Sequence, residues 1–519
     1  MGLWSYYFFA KFFLYLGKYM DFHALINLAF AIFLVLPLGK RWLRISRTII
    51  ALPAGIALFY YDTWLPPIQR LYSQAGNLQQ FDLRYLWELL GRFINPMVVL
   101  VIVLGCATLA LAGRRLRLSS LVFVGILGIA VLNWTAERRA HTVQDVATLS
   151  SAEPGVTTTT ADLGTTLQNF YQTESTRKIA FARPSAAGKP FDIVFLHICS
   201  LGSDDMDLVS EKKHPLMNKF DIVFKQFNSA ASYSGPAAIR LLRGNCGQPP
   251  HEDLYKPATP DCTLFNALQG AGFQTEWLMN HDGHFGNFTT EVSTLGGIGV
   301  SMDDNKTAKV GMRSFDDTPI YDDADVLGRW IKNRAQNPAP QVALYYNSIS
   351  LHDGNHIPGV ARLSTNEGYH QRLDKLLNDV DGFIAQIAQS GRRAVIVFIP
   401  EHGAALRGDR MQISGLREIP TPAITLVPTA IKLVGFNETN SSPIFIEQPS
   451  SYLAVSHLLA HLVEHNPFED AHPPLADYVH DLPTTPFVSE NEGMVMMLQG
   501  GRSMLRNPDR SWSEYTSGR

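Results

Sequence analysis

Cysteine is scarce in this chain. Four cysteines among 519 residues are too few to staple a disulfide scaffold, so the fold must rest on hydrophobic burial. Charge is also in short supply. Lys, Arg, Asp and Glu make up 18% of the residues and nearly cancel, at −3. No basic excess is available to neutralise a phosphate backbone, so no nucleic acid partner is expected. There is no acidic tail and no internal repeat. No small-residue cleavage site ends the first apolar stretch, and further apolar stretches follow, which argues against a cleaved signal peptide. The length exceeds that of one ordinary domain.

What the first part of the chain has in abundance is apolar residues. Apolar stretches run over roughly 5–19, 22–39, 48–62, 97–113 and 118–134, several of them shorter than the ~20 residues of an average span. Any one of these alone leaves a buried core helix as the lesser alternative; five in succession read as a membrane region over residues 1–139, an all-α transmembrane bundle of about five helices. The first stretch carries Lys11 and Lys18 and suits a membrane interface as well as a span. Cys106 falls inside the fourth and reads as a packing residue. Lys40, Arg41, Arg44 and Arg47 lie between the second and third stretches, and Arg114, Arg115 and Arg117 between the last two. The positive-inside rule makes both loops cytoplasmic and sends the chain after about residue 135 to the other side. Arg138 and Arg139 oppose this mildly, diluted by Glu137 and Asp145. In a bacterium the expectation is a multi-pass inner-membrane protein with a periplasmic C-terminal domain.

Residues 140–165 are rich in Thr, Ser and Ala and are expected to form a flexible linker. Residues 166–519 suffice for one large α/β domain. Strand-like apolar runs at 191–198, 273–279, 342–346, 394–400 and 431–434 alternate with helical patterns at 262–271, 322–335 and 370–391. This alternation predicts a mostly parallel central sheet covered by helices on both faces. The tail after about 485 gives little signal.

The chemistry gathers where the predicted strands end. Glu401 and His402 directly follow the run Ala394-Val-Ile-Val-Phe-Ile-Pro400, at the edge where open α/β sheets place their ligand sites. A carboxylate and an imidazole are both zinc ligands. Cys199 follows the first strand and reads either as a small buried hydrophobe or as a thiolate ligand. Ser234 lies in Tyr233-Ser-Gly-Pro236, before an apolar-periodic segment. A proline there marks a helix start, so Ser234 is either an N-cap or a nucleophile beside an anion site at the helix N-terminus. A zinc ion near it would lower its hydroxyl pKa. His352, in Leu351-His-Asp-Gly-Asn-His356, suits proton transfer or phosphate contact, or simply a backbone hydrogen bond in a loop. Arg417 suits a phosphate clamp or a surface ion pair. His281 and His284 are weaker candidates. Cys246 and Cys262 stand 16 residues apart among prolines, a spacing that permits a disulfide in an oxidising compartment.

Taken together, these residues resemble the alkaline-phosphatase superfamily, and within it the membrane-anchored phosphoethanolamine transferases. The nearest likeness is to the branch that modifies cellulose in bacterial cellulose-synthesis operons. The likeness is carried by Phe22-His-Ala-Leu-Ile-Asn-Leu28, Tyr61-Asp-Thr-Trp-Leu-Pro66, Asn228-Ser-Ala-Ala-Ser-Tyr-Ser-Gly-Pro-Ala-Ala-Ile-Arg-Leu-Leu-Arg243, the His352 loop, Pro400-Glu-His-Gly403 and Gly408-Asp-Arg-Met-Gln412. It implies an alkaline-phosphatase-like α/β domain with one zinc held by Cys199, Ser234, Glu401 and His402. Ser234 is then the nucleophile, with Tyr233, His352 and Arg417 in support. Cysteine after the first strand and Glu before His402 depart from the wider superfamily but fit this branch. The stretch Ser234-Gly-Pro-Ala-Ala238 lacks the arginine of a sulfatase signature.

The resemblance further implies phosphatidylethanolamine as donor, the cellulose 6-hydroxyl as acceptor, a covalent phosphoserine-type intermediate and cellulose synthase subunits as partners. Two rivals stand beside it: a phosphodiesterase that passes the same intermediate to water, and a mainly structural subunit that steadies a synthase complex.

Overall fold

The structure is a computed structural model that describes residues 2–17, 20–63, 96–112, 117–132, 160–182, 188–360, 365–409, 411–436 and 442–517. Two compact units emerge, Met1–Thr157 with Arg410–Gln412, and Thr158–Asp409 with Ile413–Arg519.

In the first unit the apolar stretches become helices α1 (Trp4–Leu16), α2 (Ala24–Val35), α3 (Arg41–Asp62), α4 (Pro96–Ala112) and α5 (Leu118–Leu132). Among the described residues, only α3 is both long and apolar enough to cross a membrane; the others are shorter. Helix α3 begins earlier than the third apolar stretch and takes in Arg41, Arg44 and Arg47, which the apolar pattern places in a loop. Arginine is a good helix former, so a basic segment leading into an apolar one need not break the helix. Arg114 and Arg115 lie outside the described residues, as does most of the expected linker.

Lys11 is not at a surface. It is fully buried and pairs with Asp62 at 2.5 Å. Asn27 donates to the same carboxylate oxygen at 2.7 Å, and the His23 ring meets the other oxygen at 2.7 Å. One carboxylate on α3 thus ties down α1 and α2.

The second unit is built on a seven-stranded sheet. Its strands are β1 (Asp192–Ile198), β2 (Ile222–Phe227), β3 (Gln274–Met279), β4 (Val342–Ser348), β5 (Ala394–Pro400), β6 (Thr429–Val434) and β7 (Ile444–Ser450). Their spatial order is β3-β4-β1-β5-β6-β2-β7. Every pairing is parallel except the two that β6 makes. The five strands expected from apolar runs are present, with ends shifted by one or two residues. Strands β2 and β7 were not anticipated. β2 carries Lys225 and Gln226 on an exposed segment, and β7 is an edge strand containing Pro449, where period and composition are weak.

Helices cover both faces because the central strands alternate. Ile193, Phe195, Val395 and Val397 pack with Leu264 and Phe265 of α8 (Leu264–Gly270) and with Leu458 and Leu462 of α11 (Tyr452–Glu464). Val194, Leu196, Ile396 and Phe398 pack instead with Val326 of α9 (Asp323–Gln336) and Leu373 and Leu377 of α10 (Thr365–Gln389). The tail forms a four-stranded antiparallel sheet, β8 (Val488–Asn491), β9 (Met494–Gln499), β10 (Arg502–Arg506) and β11 (Trp512–Glu514). Helix α6 (Thr160–Ser175) starts within the stretch expected to be linker, and its Leu163, Leu167 and Phe170 pack on Val488 and Val495 of this sheet. Cys246 and Cys262 are joined as a disulfide.

Asp62→Ala should destabilise the full chain in detergent by about 3–5 kcal/mol, because it leaves the buried Lys11 charge unpaired. The double change Lys11→Met with Asp62→Leu should recover most of that loss. Thermal unfolding of the purified chain measures both, and equal losses in the single and double variants would show that the pair contributes nothing through charge.

Candidate active site

The site follows from strand register. In the parallel sheet Ile198 of β1 stands beside Pro400 of β5 and Ser348 of β4. Cys199 and Glu401, the next residues along, therefore leave the sheet side by side. Backbone bonds continue past the strand ends, from Glu401 N–H to Ile198, Cys199 N–H to Ser348 and Leu201 N–H to His402. The thiol, carboxylate and imidazole of Cys199, Glu401 and His402 are fully buried, and one potential ligand atom from each lies within 4.8 Å of the others. The Cys199 sulfur is 3.9 Å from His402 Nε2, and a Glu401 oxygen is 3.7 Å from the same nitrogen.

Ser234 reaches this cluster from another element. It is the first residue of α7 (Ser234–Leu242), and Tyr233 occupies the N-cap position with no side-chain cap. The capping role considered for Ser234 is thus not the one it takes. Its hydroxyl lies 3.4 Å from both the Cys199 sulfur and His402 Nε2. The free N–H groups of the first turn of α7 start at the same point and favour an anion there.

The electrostatics are those of a cation site. Burial pushes the Cys199 thiol up to about 12, and the nearby Glu401 charge adds to the effect. Burial likewise raises Glu401 and lowers His402 well below the ordinary imidazole range. Burial thus works against the charged form of each group. Yet Glu401 Oε2 makes no hydrogen bond among the described residues although it is buried, an arrangement that costs free energy unless something positive sits there. His402 Nδ1 lies 2.9 Å from the Gly403 carbonyl. That contact commits the Nδ1 proton and leaves the Nε2 lone pair aimed at the cluster, as in metal-binding histidines. A thiolate, an imidazole, a carboxylate and a hydroxyl around one point fit a borderline-soft divalent cation better than magnesium or calcium.

Arg417, Tyr233 and His352 also come to this place. The Arg417 guanidinium lies over the Tyr233 ring at 5.3 Å and donates to the Ser200 hydroxyl at 3.0 Å, while its buried Nε makes no hydrogen bond among the described residues. The Tyr233 hydroxyl donates to Glu418 at 2.6 Å. His352 Nδ1 lies 2.8 Å from the Asp353 carbonyl, which commits its proton and leaves Nε2 for exchange; burial lowers its pKa to about 4. Tyr233, Ser234, His352 and Arg417 all line one cavity of about 320 Å³.

The profile described as cellulose biosynthesis protein BcsG C-terminal domain matches residues 147–512 of this chain, and the BcsG N-terminal domain profile matches residues 4–131. The chain is 39% identical to the cellulose biosynthesis protein BcsG of Salmonella typhimurium, over 99% of this chain and 96% of that protein. It is equally similar to the Escherichia coli protein of the same name, with the same coverage. The chain belongs to the BcsG family. Among solved structures, an alkaline-phosphatase-superfamily protein from Vibrio parahaemolyticus aligns over 68% of this chain and 87% of its own, at 14% identity and a TM-score of 0.48. The lipooligosaccharide phosphoethanolamine transferase A of Neisseria meningitidis aligns over 88% and 95%, at 15% identity and a TM-score of 0.39.

This BcsG-family site depends on residues that sequence reading missed. Asn347, on β4, donates to Glu401 Oε1 at 2.6 Å, and its side-chain oxygen lies 2.8 Å from His281 Nε2. It orients the carboxylate, and His281 orients it in turn. Asp205 accepts from the N–H groups of Gly202, Ala404 and Leu406 and so clamps the loop that follows His402. A side chain on Gly403 would place its Cβ 2.7 Å from an Asp205 oxygen, which explains the glycine in Pro-Glu-His-Gly. His284, the other weak candidate, sits at the cavity wall paired with Asp282 and Asp316. Lone Asn and Asp residues carry no motif signal, so only the fold could reveal these roles.

Cys199→Ala should lower the metal content of the purified chain, and Asn347→Leu should weaken metal affinity by about 10–100-fold. Elemental analysis and chelator titration measure these effects; unchanged stoichiometry and affinity in both variants would reduce the cluster to ordinary packing.

Proposed function

We propose that this BcsG-family chain is a membrane-anchored, zinc-dependent transferase. It moves phosphoethanolamine from phosphatidylethanolamine to the 6-hydroxyl of cellulose glucosyl units. The observation that carries the reading is the meeting of the Ser234 hydroxyl, at a helix N-terminus, with the buried thiol, carboxylate and imidazole of Cys199, Glu401 and His402. The choice of donor rests on the motif resemblance, and the family's place in cellulose biosynthesis supports a cellulose acceptor. The apolar helices of the first unit supply the bilayer anchor, with the catalytic unit on the periplasmic side of an inner membrane.

Cys199, Ser234, Glu401 and His402 would hold the zinc, which when bound lowers the pKa of a coordinated hydroxyl and offsets phosphoryl charge. Ser234 Oγ attacks the donor phosphorus, and the bond from phosphorus to the diacylglycerol oxygen breaks. Diacylglycerol leaves with the serine proton, and phosphoethanolamine stays on Ser234. The first-turn N–H groups of α7 and the Arg417 guanidinium, at the same cavity, offset the charge of the phosphoryl oxygens. Tyr233 and Ser200 hold the guanidinium in place. The glucosyl 6-hydroxyl then attacks the same phosphorus, its proton passing to His352 Nε2, and the bond to Ser234 Oγ breaks. Serine recovers a proton and the cycle closes.

Ser234→Ala should abolish transfer in full while the unfolding transition stays within about 1 kcal/mol of wild type. Mass spectrometry of Ser234 after exposure to donor should show one phosphoethanolamine adduct, absent from the variant. Retained modification of cello-oligosaccharide by Ser234→Ala would sink the assignment. Omitting the acceptor separates the hydrolase reading: a hydrolase releases phosphoethanolamine at the same rate with or without glucan, and a transferase does not.

A further inference from the structure

One carboxylate at the cavity has no task in the chemistry above. Glu291 opens a single π turn (Glu291–Leu295), a wide helical turn that recurs at functional sites. Val292, fully buried, anchors that turn, and Gly296 at its end lies against Leu242 of α7. The packing brings the Glu291 side chain directly over Gly235: a Cβ on that glycine would fall 1.9 Å from Glu291 Oε2. Any other residue at 235 would expel the carboxylate, so the glycine of Ser-Gly-Pro makes room for Glu291. Gly235 follows Ser234, and neighbouring Cα atoms are about 3.8 Å apart. The carboxylate therefore lies against the residue that follows the nucleophile, on the wall of the cavity that Ser234 also lines.

Three other acidic side chains line the same cavity. Asp282 and Asp316 are already paired with His284, and Glu492 is exposed. Glu291 is half-buried; its carbonyl accepts from Gly296 N–H, but its carboxylate makes no hydrogen bond or ion pair among the described residues. The same cavity has an aromatic wall. Phe285, Phe288 and Phe315 line the cavity, with the Phe285 and Phe315 rings 5.2 Å apart and Phe315 5.7 Å from His352. The cavity is thus polarised. Arg417 and the α7 N-terminus offer positive charge at the Ser234 end, and Glu291 with apolar rings offers the environment that a cation prefers.

We infer that Glu291 and this phenylalanine wall form the subsite for a primary ammonium group carried two carbons beyond the phosphoryl group that Ser234 accepts. The inference rests on the transferase reading and deepens it. An ethanolamine phosphate is a zwitterion whose ammonium and phosphoryl ends stand a short spacer apart, as do the carboxylate against Gly235 and the serine just before it in the chain. The carboxylate accepts from the ammonium N–H groups, and the rings exclude water from the pair. A donor whose headgroup ends in a methyl group can pack on the rings but loses the ion pair with the carboxylate.

The test compares two donors, phosphatidylethanolamine and phosphatidylethanol, with the full-length zinc-loaded chain in mixed micelles and a cello-oligosaccharide acceptor. Wild type should favour the ethanolamine donor in kcat/KM. Glu291→Gln should shrink that preference by roughly 10- to 100-fold, the range for a hydrogen bond to a charged group. Glu291→Asp, which keeps the charge, should retain most of the preference. Because the readout is a ratio within each variant, a partly unfolded preparation does not distort it. An unchanged ratio in Glu291→Gln overturns the subsite while leaving the transferase reading intact. Failure of wild type to transfer from either donor overturns the transferase reading and takes the subsite with it.

Discussion

The parallel register of β4, β1 and β5 is the constraint on which the rest of the second unit depends. A strand pairing slipped by one residue turns every side chain to the opposite face. Here Ile198, Ser348 and Pro400 lie abreast, and the next residues deliver a thiol and a carboxylate to one point. Neither residue is held by its own local structure. Both are held by a sheet buried on two faces by Val, Ile, Leu and Phe, whose packing leaves no room for slippage. Helix α7 then brings Ser234 to the same point, and the loop clamped by Asp205 fixes His402.

The assembled cluster is expensive to keep without a cation. Burial works against the charged forms of the thiol, the carboxylate and the imidazole, and among the described residues a buried Glu401 oxygen has no hydrogen bond. Such arrangements persist where function needs them. The same economy governs the first unit, where one buried carboxylate, Asp62, gathers Lys11, Asn27 and His23 from two other helices. In both units a small polar group placed among apolar residues specifies how elements meet, which apolar packing alone does less sharply.

Much of the fold was legible. Five of seven strands in the main sheet announced themselves as continuous apolar runs, because a strand buried on both faces needs no polar alternation. Strands β2 and β7 stayed hidden because exposed polar residues and Pro449 mask the period. The tail sheet stayed hidden because short antiparallel strands of mixed composition look like loops, and α6 because its apolar residues are few and spaced among Thr and Gln. At the site, Cys199, Ser234, Glu401 and His402 could be picked out from their positions after strands or before a helix. Asn347, Asp205 and Glu291 could not, since each is brought to the site by packing against segments remote in the chain.

By itself, then, the amino-acid order determined the apolar first unit, the α/β character of the second and the short list of chemically able side chains, because burial periodicity and strand-end position are local properties. Only the tertiary structure decided which of those side chains share one point, that Ser234 faces the cluster instead of capping its helix, and that Glu291 occupies the space Gly235 leaves open. Those are outcomes of register and packing between segments far apart in the chain, and no local pattern encodes the distance between them.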